Sequence, residues 1–231
     1  KRSVPSRCGS ADILQDLGVR IDMNPKEAQE CLKEAKLAFL FAPTYHPAMK
    51  YVMNTRRELR VRTIFNILGP LANPGKVKNQ VLGVFDESLT EVFAEVLKEL
   101  GLKRAMVIHG MDGLDEISIS AETKVSELKD GKIKTYRIKP EDFGMVRGRL
   151  EDIKGGSAKE NAQMLLEVLS GRGEKLRDIV LLNSAAAIYV GGAARTMEEG
   201  IKKAAEAMDS GAGFNKLKEF AGYSNSIEIG A

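Results

Sequence analysis

Two short apolar runs, 80–85 and 105–109, flank a segment whose apolar residues recur at helical spacing, and this arrangement narrows the fold more than any other feature. Between Ser88 and Leu100 the residues Leu89, Val92, Phe93, Val96, Leu97 and Leu100 fall at i, i+3, i+4, i+7, i+8 and i+11, with Gly101 following as a C-terminal cap. Continuous apolar runs without polar alternation suit strands covered on both faces, the environment of a parallel sheet under helices. The segment therefore predicts a βαβ unit. A further run, 37–42, is expected to add a buried strand. The stretch 123–138, turning at Asp130-Gly131, predicts a small antiparallel excursion. The expected class is α/β, with a largely parallel central sheet flanked by helices.

Helix signals recur along the chain. Asn24, Pro25 and Glu27 supply an N-cap, a preset first turn and a capping-box carboxylate for a helix reaching about Ala35. Ser157 with Glu160 and Thr196 with Glu199 repeat the box, and beyond Ser157 the pattern predicts helices only. The longest uncharged run, Ile179 to Ala194, has 16 residues. A bilayer span needs about 20, so this run predicts a soluble helix buried on all sides. With 43% apolar and 29% charged residues and no long linker, the 231 residues are expected to form one α/β domain spanning 1–231. Cys8 and Cys31 are too few for a disulfide framework and lack metal-ligand spacing, which predicts a reducing, cytoplasmic setting. The basic, small residues from Lys1 to Asp12 offer no apolar leader, and a start without Met is expected of a piece of a larger protein.

Charge is unevenly distributed. Residues 1–62 hold 12 Lys and Arg against 7 Asp and Glu, whereas 63–231 hold 23 against 25. A basic N-terminal third suits an anionic ligand, a phosphorylated small molecule or nucleic acid, as well as a solvated basic face. Four segments carry candidate chemistry. Lys1 to Asp12 is rich in Ser and Arg and leads into a helix capped near Ser10, which suits an anion site and equally a basic chain end. After His46-Pro47, Arg56 and Arg60 share a helix face, where like charges repel unless an anion satisfies them; a guanidinium fork holds a carboxylate bidentately. Residues 64–74, with Gly69, Pro70 and Pro74 inside an apolar run, predict a shaped, buried turn that either lines a pocket or closes the core. The run 107–118 ends a buried strand in Asp112, Asp115 and Glu116 on a glycine-loosened loop. Hard oxygen ligands there suit Mg²⁺, although acidic pairs are also ordinary surface features. No Walker-type, HExxH or GxSxG motif occurs.

Taken together, these segments resemble the anthranilate phosphoribosyltransferases, a tryptophan-pathway family that shares a fold with pyrimidine nucleoside phosphorylases. The resemblance rests on Arg2-Ser3-Val4 with Gly9-Ser10-Ala11-Asp12, His46-Pro47-Ala48-Met49 with Arg56-Arg57-Glu58-Leu59, Arg62 to Leu71 with Asn73-Pro74, and His109-Gly110 with Asp112-Gly113-Leu114-Asp115-Glu116. Glu160-Asn161-Ala162 and Leu182 to Ala187 fit as well, so that it covers essentially the whole chain.

The resemblance implies transfer of the phosphoribosyl group from 5-phosphoribosyl 1-pyrophosphate to the amine of anthranilate, with pyrophosphate released and Mg²⁺ required. It implies that Arg56 clamps the anthranilate carboxylate and that His46, Gly69 and Pro70 wall its pocket. Lys1, Arg2, Ser3, Val4, Pro5, Ser6 and Ser10 would contact phosphoribosyl pyrophosphate, and Asp115 and Glu116 would hold Mg²⁺. No side-chain nucleophile or general base is implied. Pro5 stands where the family commonly has a Ser, removing a hydroxyl and an N–H. The family's first glycine-rich loop, its Asn-x-Ser-Thr segment and the N-terminal helices through which it forms homodimers are not found in these residues, so the chain is expected to be a C-terminal portion, inactive alone. A non-catalytic nucleic-acid-binding relative is the competing expectation, and Arg56 with Asp115-Glu116 argues against it.

Overall fold

The computed structural model describes residues 8–46, 69 and 71–227. The single domain expected over 1–231 is built as two compact units. The first takes Lys76–Gly155 and Leu166–Gly211; the second takes the described residues up to Gly75, Gly156–Leu165, and those from Ala212 on.

In the first unit the predicted βαβ element is present: β1 (Asn79–Gly83), α4 (Leu89–Glu99) and β2 (Arg104–Gly110), with β1 and β2 parallel. The chain then turns back through β3 (Thr123–Lys129) and β4 (Lys132–Ile138). Asp130 and Gly131 both adopt left-handed backbone, at φ 51° and 73°, which matches a two-residue turn to the strand twist. The described sheet has the order β1-β2-β3-β4. It is mixed, not largely parallel: β2–β3 and β3–β4 are antiparallel. The excursion expected beside the sheet is half of it.

Helix α4 buries Thr90, Phe93, Ala94 and Leu97, a stripe at i, i+3, i+4 and i+7. Val92 and Leu100, expected inside, are more than half exposed. The other sheet face carries α6 (Glu174–Val190), whose Ile179, Leu182, Ala186, Tyr189 and Val190 pack with Met106, Ile108, Ile117, Ile119 and Val125. Helix α7 (Met197–Asp209) follows, and a Cβ on Gly200 would lie 2.8 Å from the Ala185 carbonyl oxygen, so glycine permits this close helix pair. Thr196 caps α7 by accepting the Glu199 N–H, while Glu199 accepts from Arg195 N–H. The expectation that α6 is buried on all sides fails at one face: Val180, Asn183 and Ser184 are half-buried and Ala187 is exposed.

The second unit is helical in its described residues. It contains α1 (Ser10–Asp16), α2 (Pro25–Glu34), the short α3 (Ala42–Tyr45) and α8 (Ala212–Ser226), with the first residues of α5 (Ala158–Leu169). Asn24 caps α2 by accepting the N–H groups of Lys26 and Glu27, and Glu27 returns a carboxylate to Asn24 N–H, as expected. Ser157 and Glu160 form the same reciprocal box at α5. The strand expected over 37–42 does not form. Lys36 at φ 59° turns the chain out of α2, and Pro43 lies in the first turn of α3. Between them Ala38, Phe39 and Leu40 pack on Val19, Met23, Cys31 and Phe220. Among the described residues no helix is long and apolar enough to cross a membrane.

Leu182 is fully buried at the centre of the first unit's core. Replacing it with Ala is expected to cost about 2–5 kcal/mol, read as a lower urea midpoint with unchanged slope.

Candidate functional site

The loop that leaves β2 holds itself in shape largely through its own polar groups. Gly113 N–H donates to the Gly110 carbonyl and Gly110 N–H to the Leu114 carbonyl, both at 2.8 Å. Asp112 accepts the hydroxyls of Ser118 and Ser120, and Ser118 Oγ accepts the N–H groups of Ser120 and Ala121. Ser118 N–H donates to Thr123 Oγ1 at 2.9 Å. Of the three acids expected on this loop, Asp112 is thus committed to folding it.

Asp115 and Glu116 are exposed and make no hydrogen bond or ion pair among the described residues. They border an open hollow of about 430 Å³, together with Val81 and Gly83 of β1, Ile108 of β2, and Ile179, Val180, Asn183, Ser184 and Ala187 of α6. Loss of surrounding water pushes the Glu116 carboxyl above the ordinary carboxylate range, and the neighbouring Asp115 charge pushes it further. Two adjacent carboxylates with no countercharge among the described residues, beside an apolar floor, suit a cation. No group of three or more His, Cys, Asp or Glu side chains converges among the described residues. That donor set suits Mg²⁺, a hard ion commonly held by one or two carboxylates with waters and phosphate oxygens.

Two neighbours fix the backbone under this pair. A Cβ at Gly83 would lie 1.6 Å from the Asp115 carbonyl oxygen, so the loop crosses the end of β1 at a distance only glycine permits. On the other side Asn183 accepts the Ile117 N–H at 2.9 Å and donates to the Ile117 carbonyl at 3.0 Å. Neither residue was given a role by sequence reasoning. The available signals were a glycine inside a strand-like run and a lone amide inside the uncharged run 179–194.

The remaining expected site residues divide between the second unit and undescribed positions. Ser10 is the exposed first residue of α1; the cap falls one residue earlier, at Gly9, whose N–H donates to Asp12 at 2.8 Å. His46 is half-exposed and ends α3 through its N–H to the Ala42 carbonyl. Gly69 is exposed and accepts the Ala72 N–H. The described part of the turn expected to be buried, Gly69 and 71–74, is exposed or half-exposed instead. Asn161 holds the Gly156 backbone and donates to Cys8 Sγ at 3.6 Å, a structural role. Lys1, Arg2, Ser3, Val4, Pro5, Ser6, Arg56 and Pro70 lie outside the described residues.

Residues 1–214 match the family model described as "Glycosyl transferase family, a/b domain". The chain is 54% identical over 228 residues to an anthranilate phosphoribosyltransferase of Alkaliphilus metalliredigens, covering 99% of itself and 67% of that protein. A crystal structure of anthranilate phosphoribosyltransferase from Thermus thermophilus superimposes with TM-score 0.88 at 37% identity, covering 97% of this chain and 67% of that one. The Saccharomyces cerevisiae enzyme in complex with PRPP and Mg gives TM-score 0.87 at 30% identity, covering 95% and 63%. The chain thus spans about two thirds of the length of these relatives.

The Gly83 contact makes a direct prediction. Gly83→Ala is expected to force the loop off the end of β1 at a cost of about 1–3 kcal/mol, seen as a lower melting temperature together with shifted amide resonances over 114–117.

Proposed function

The chain belongs to the glycosyl transferase family that includes the anthranilate phosphoribosyltransferases, and we propose that it serves Mg²⁺-dependent transfer of a phosphoribosyl group from 5-phosphoribosyl 1-pyrophosphate to anthranilate, as a step of tryptophan biosynthesis in the cytoplasm. The observation that carries this reading is the Asp115–Glu116 pair, exposed and without a partner among the described residues, at the rim of the hollow on a loop whose backbone is held by Gly83 and Asn183. A structural relative binds PRPP and Mg, which supports the same ligands here. The two free cysteines, one buried and one half-buried, support a reducing setting.

In the reaction the bond from ribose C1 to the pyrophosphate oxygen breaks, the bond from C1 to the anthranilate nitrogen forms, and the amine proton passes to water or to the released pyrophosphate. Positive charge grows on the ribose while negative charge grows on the departing pyrophosphate. Catalysis of such a step is mainly positioning and leaving-group stabilisation, and needs no nucleophilic side chain. Asp115 and Glu116 would hold the metal. Bound Mg²⁺ would supply neutralisation of the leaving pyrophosphate.

Other residues take their proposed roles from the family resemblance. Arg56 orients anthranilate through its carboxylate, beside His46, Gly69 and Pro70. Arg2, Ser3, Ser6 and Ser10 offer cationic and hydroxyl donors to phosphate oxygens, with Lys1, Val4 and Pro5 in the same segment.

Two measurements check these assignments on the full natural chain. Asp115→Asn combined with Glu116→Gln is expected to reduce Mg²⁺-dependent turnover by about 100-fold or more, followed by the loss of anthranilate fluorescence; retained turnover would refute the metal role. Arg56→Ala is expected to raise the KM for anthranilate by about 10-fold or more, with a smaller change for phosphoribosyl pyrophosphate. An unchanged KM for anthranilate would refute the clamp.

A further inference from the structure

We infer that Asn183 is a positioning residue for Asp115 and Glu116: its side-chain amide sets the direction in which the two carboxylates face the hollow. This rests on the reading of that pair as a Mg²⁺ site.

Neither Asp115 nor Glu116 makes a hydrogen bond of its own among the described residues, so both take their direction from the backbone on either side. Upstream, the Leu114 carbonyl is held by Gly110 N–H and the Asp115 carbonyl rests against Gly83. Downstream, the hold belongs to Asn183. Ile117 N–H is part of the peptide that begins at Glu116, and the Ile117 carbonyl is part of the next peptide. By accepting from one and donating to the other, Asn183 fixes both peptide planes around Ile117. Its second amide hydrogen goes to the Ile179 carbonyl of its own helix at 2.9 Å, which locks the orientation of the amide.

Packing alone would keep this segment on the core. Ile117 and Ile119 are 1% and 0% exposed within the same apolar cluster as Leu182 and Ile179. Apolar burial is non-directional, whereas hydrogen bonds fix angles. An amide on a largely apolar helix face costs stability unless fully satisfied, and here both its oxygen and its two hydrogens are used. What the amide adds over an apolar residue is control of the Glu116–Ile117 peptide. Mg²⁺ demands near-octahedral geometry with oxygen contacts of about 2.0–2.1 Å, so a small rotation of that peptide degrades the site.

The test measures Mn²⁺ binding in the presence of pyrophosphate by electron paramagnetic resonance on the full natural chain, with melting curves and substrate KM values alongside. Asn183→Leu is expected to weaken Mn²⁺ binding about 10-fold or more and to raise the KM for phosphoribosyl pyrophosphate while leaving that for anthranilate unchanged. If that variant loses its cooperative melt, Asn183→Ala, which leaves room for a water beside Ile117, carries the same expectation. Ile117→Val thins the packing without touching the amide; it is expected to lower the melting temperature and to keep Mn²⁺ affinity within about twofold. A folded Asn183 variant with Mn²⁺ affinity within twofold of the unchanged protein would overturn the inference, as would an equal loss in Ile117→Val. The combined Asp115→Asn, Glu116→Gln variant distinguishes the two levels: if it binds Mn²⁺ undiminished, the metal reading fails and the inference with it, whereas its loss of Mn²⁺ beside a fully competent Asn183→Leu removes the inference alone.

Discussion

The Asp115 carbonyl oxygen occupies the space that any side chain at position 83 would need, and the rest of the site depends on that contact. Because β1 and β2 run parallel with Gly83 opposite Ile108, both strands end on the same side of the sheet. The loop leaving β2 can then fold back across the end of β1, provided that end is bare. Glycine meets that condition, and its backbone there has no positive φ, so the residue type follows from the neighbour and not from local conformation.

Once the loop is seated, its acids separate by role. Asp112 turns inward to Ser118 and Ser120 and becomes part of the scaffold. Asp115 and Glu116 face the hollow with no ion-pair partner among the described residues, and the Glu116 carboxyl is held above its ordinary range by lost hydration and by its neighbour's charge. Here the Gly83 contact below and the Asn183 bracket beside it restrict the backbone under the pair, and the proposed cation binding rests on that restraint.

Much of this was legible in the residues. The βαβ unit followed from two continuous apolar runs around an amphipathic helix, and the caps at Asn24 and Ser157 followed from side-chain chemistry confined to four neighbouring residues. The hairpin was visible in Asp130-Gly131, yet its weight in the sheet was not, because pairing direction is decided between strands and not within one. The run 37–42 misled because an apolar run says only that a segment is buried. Here burial comes from packing beside α2 and α8 instead of from a sheet. At the site, the acidic pair at a strand end was readable. The Asn183–Ile117 bracket joins residues 66 apart, and no local pattern encodes such a meeting. The open face of α6 was hidden for a related reason: Val180 and Ala187 look like core residues, and only the hollow beside them shows otherwise.

On the proposed reading this loop presents two carboxylates, in a fixed direction, to a divalent cation that accompanies a diphosphate. Anomalous diffraction from crystals of the protein grown with Mn²⁺ and pyrophosphate tests it most directly. The expected result is an Mn²⁺ peak at about 2.0–2.3 Å from a carboxylate oxygen of Asp115 or Glu116, with pyrophosphate oxygens completing the shell. Mn²⁺ with pyrophosphate bound elsewhere, and both carboxylates left without metal contact, would contradict it.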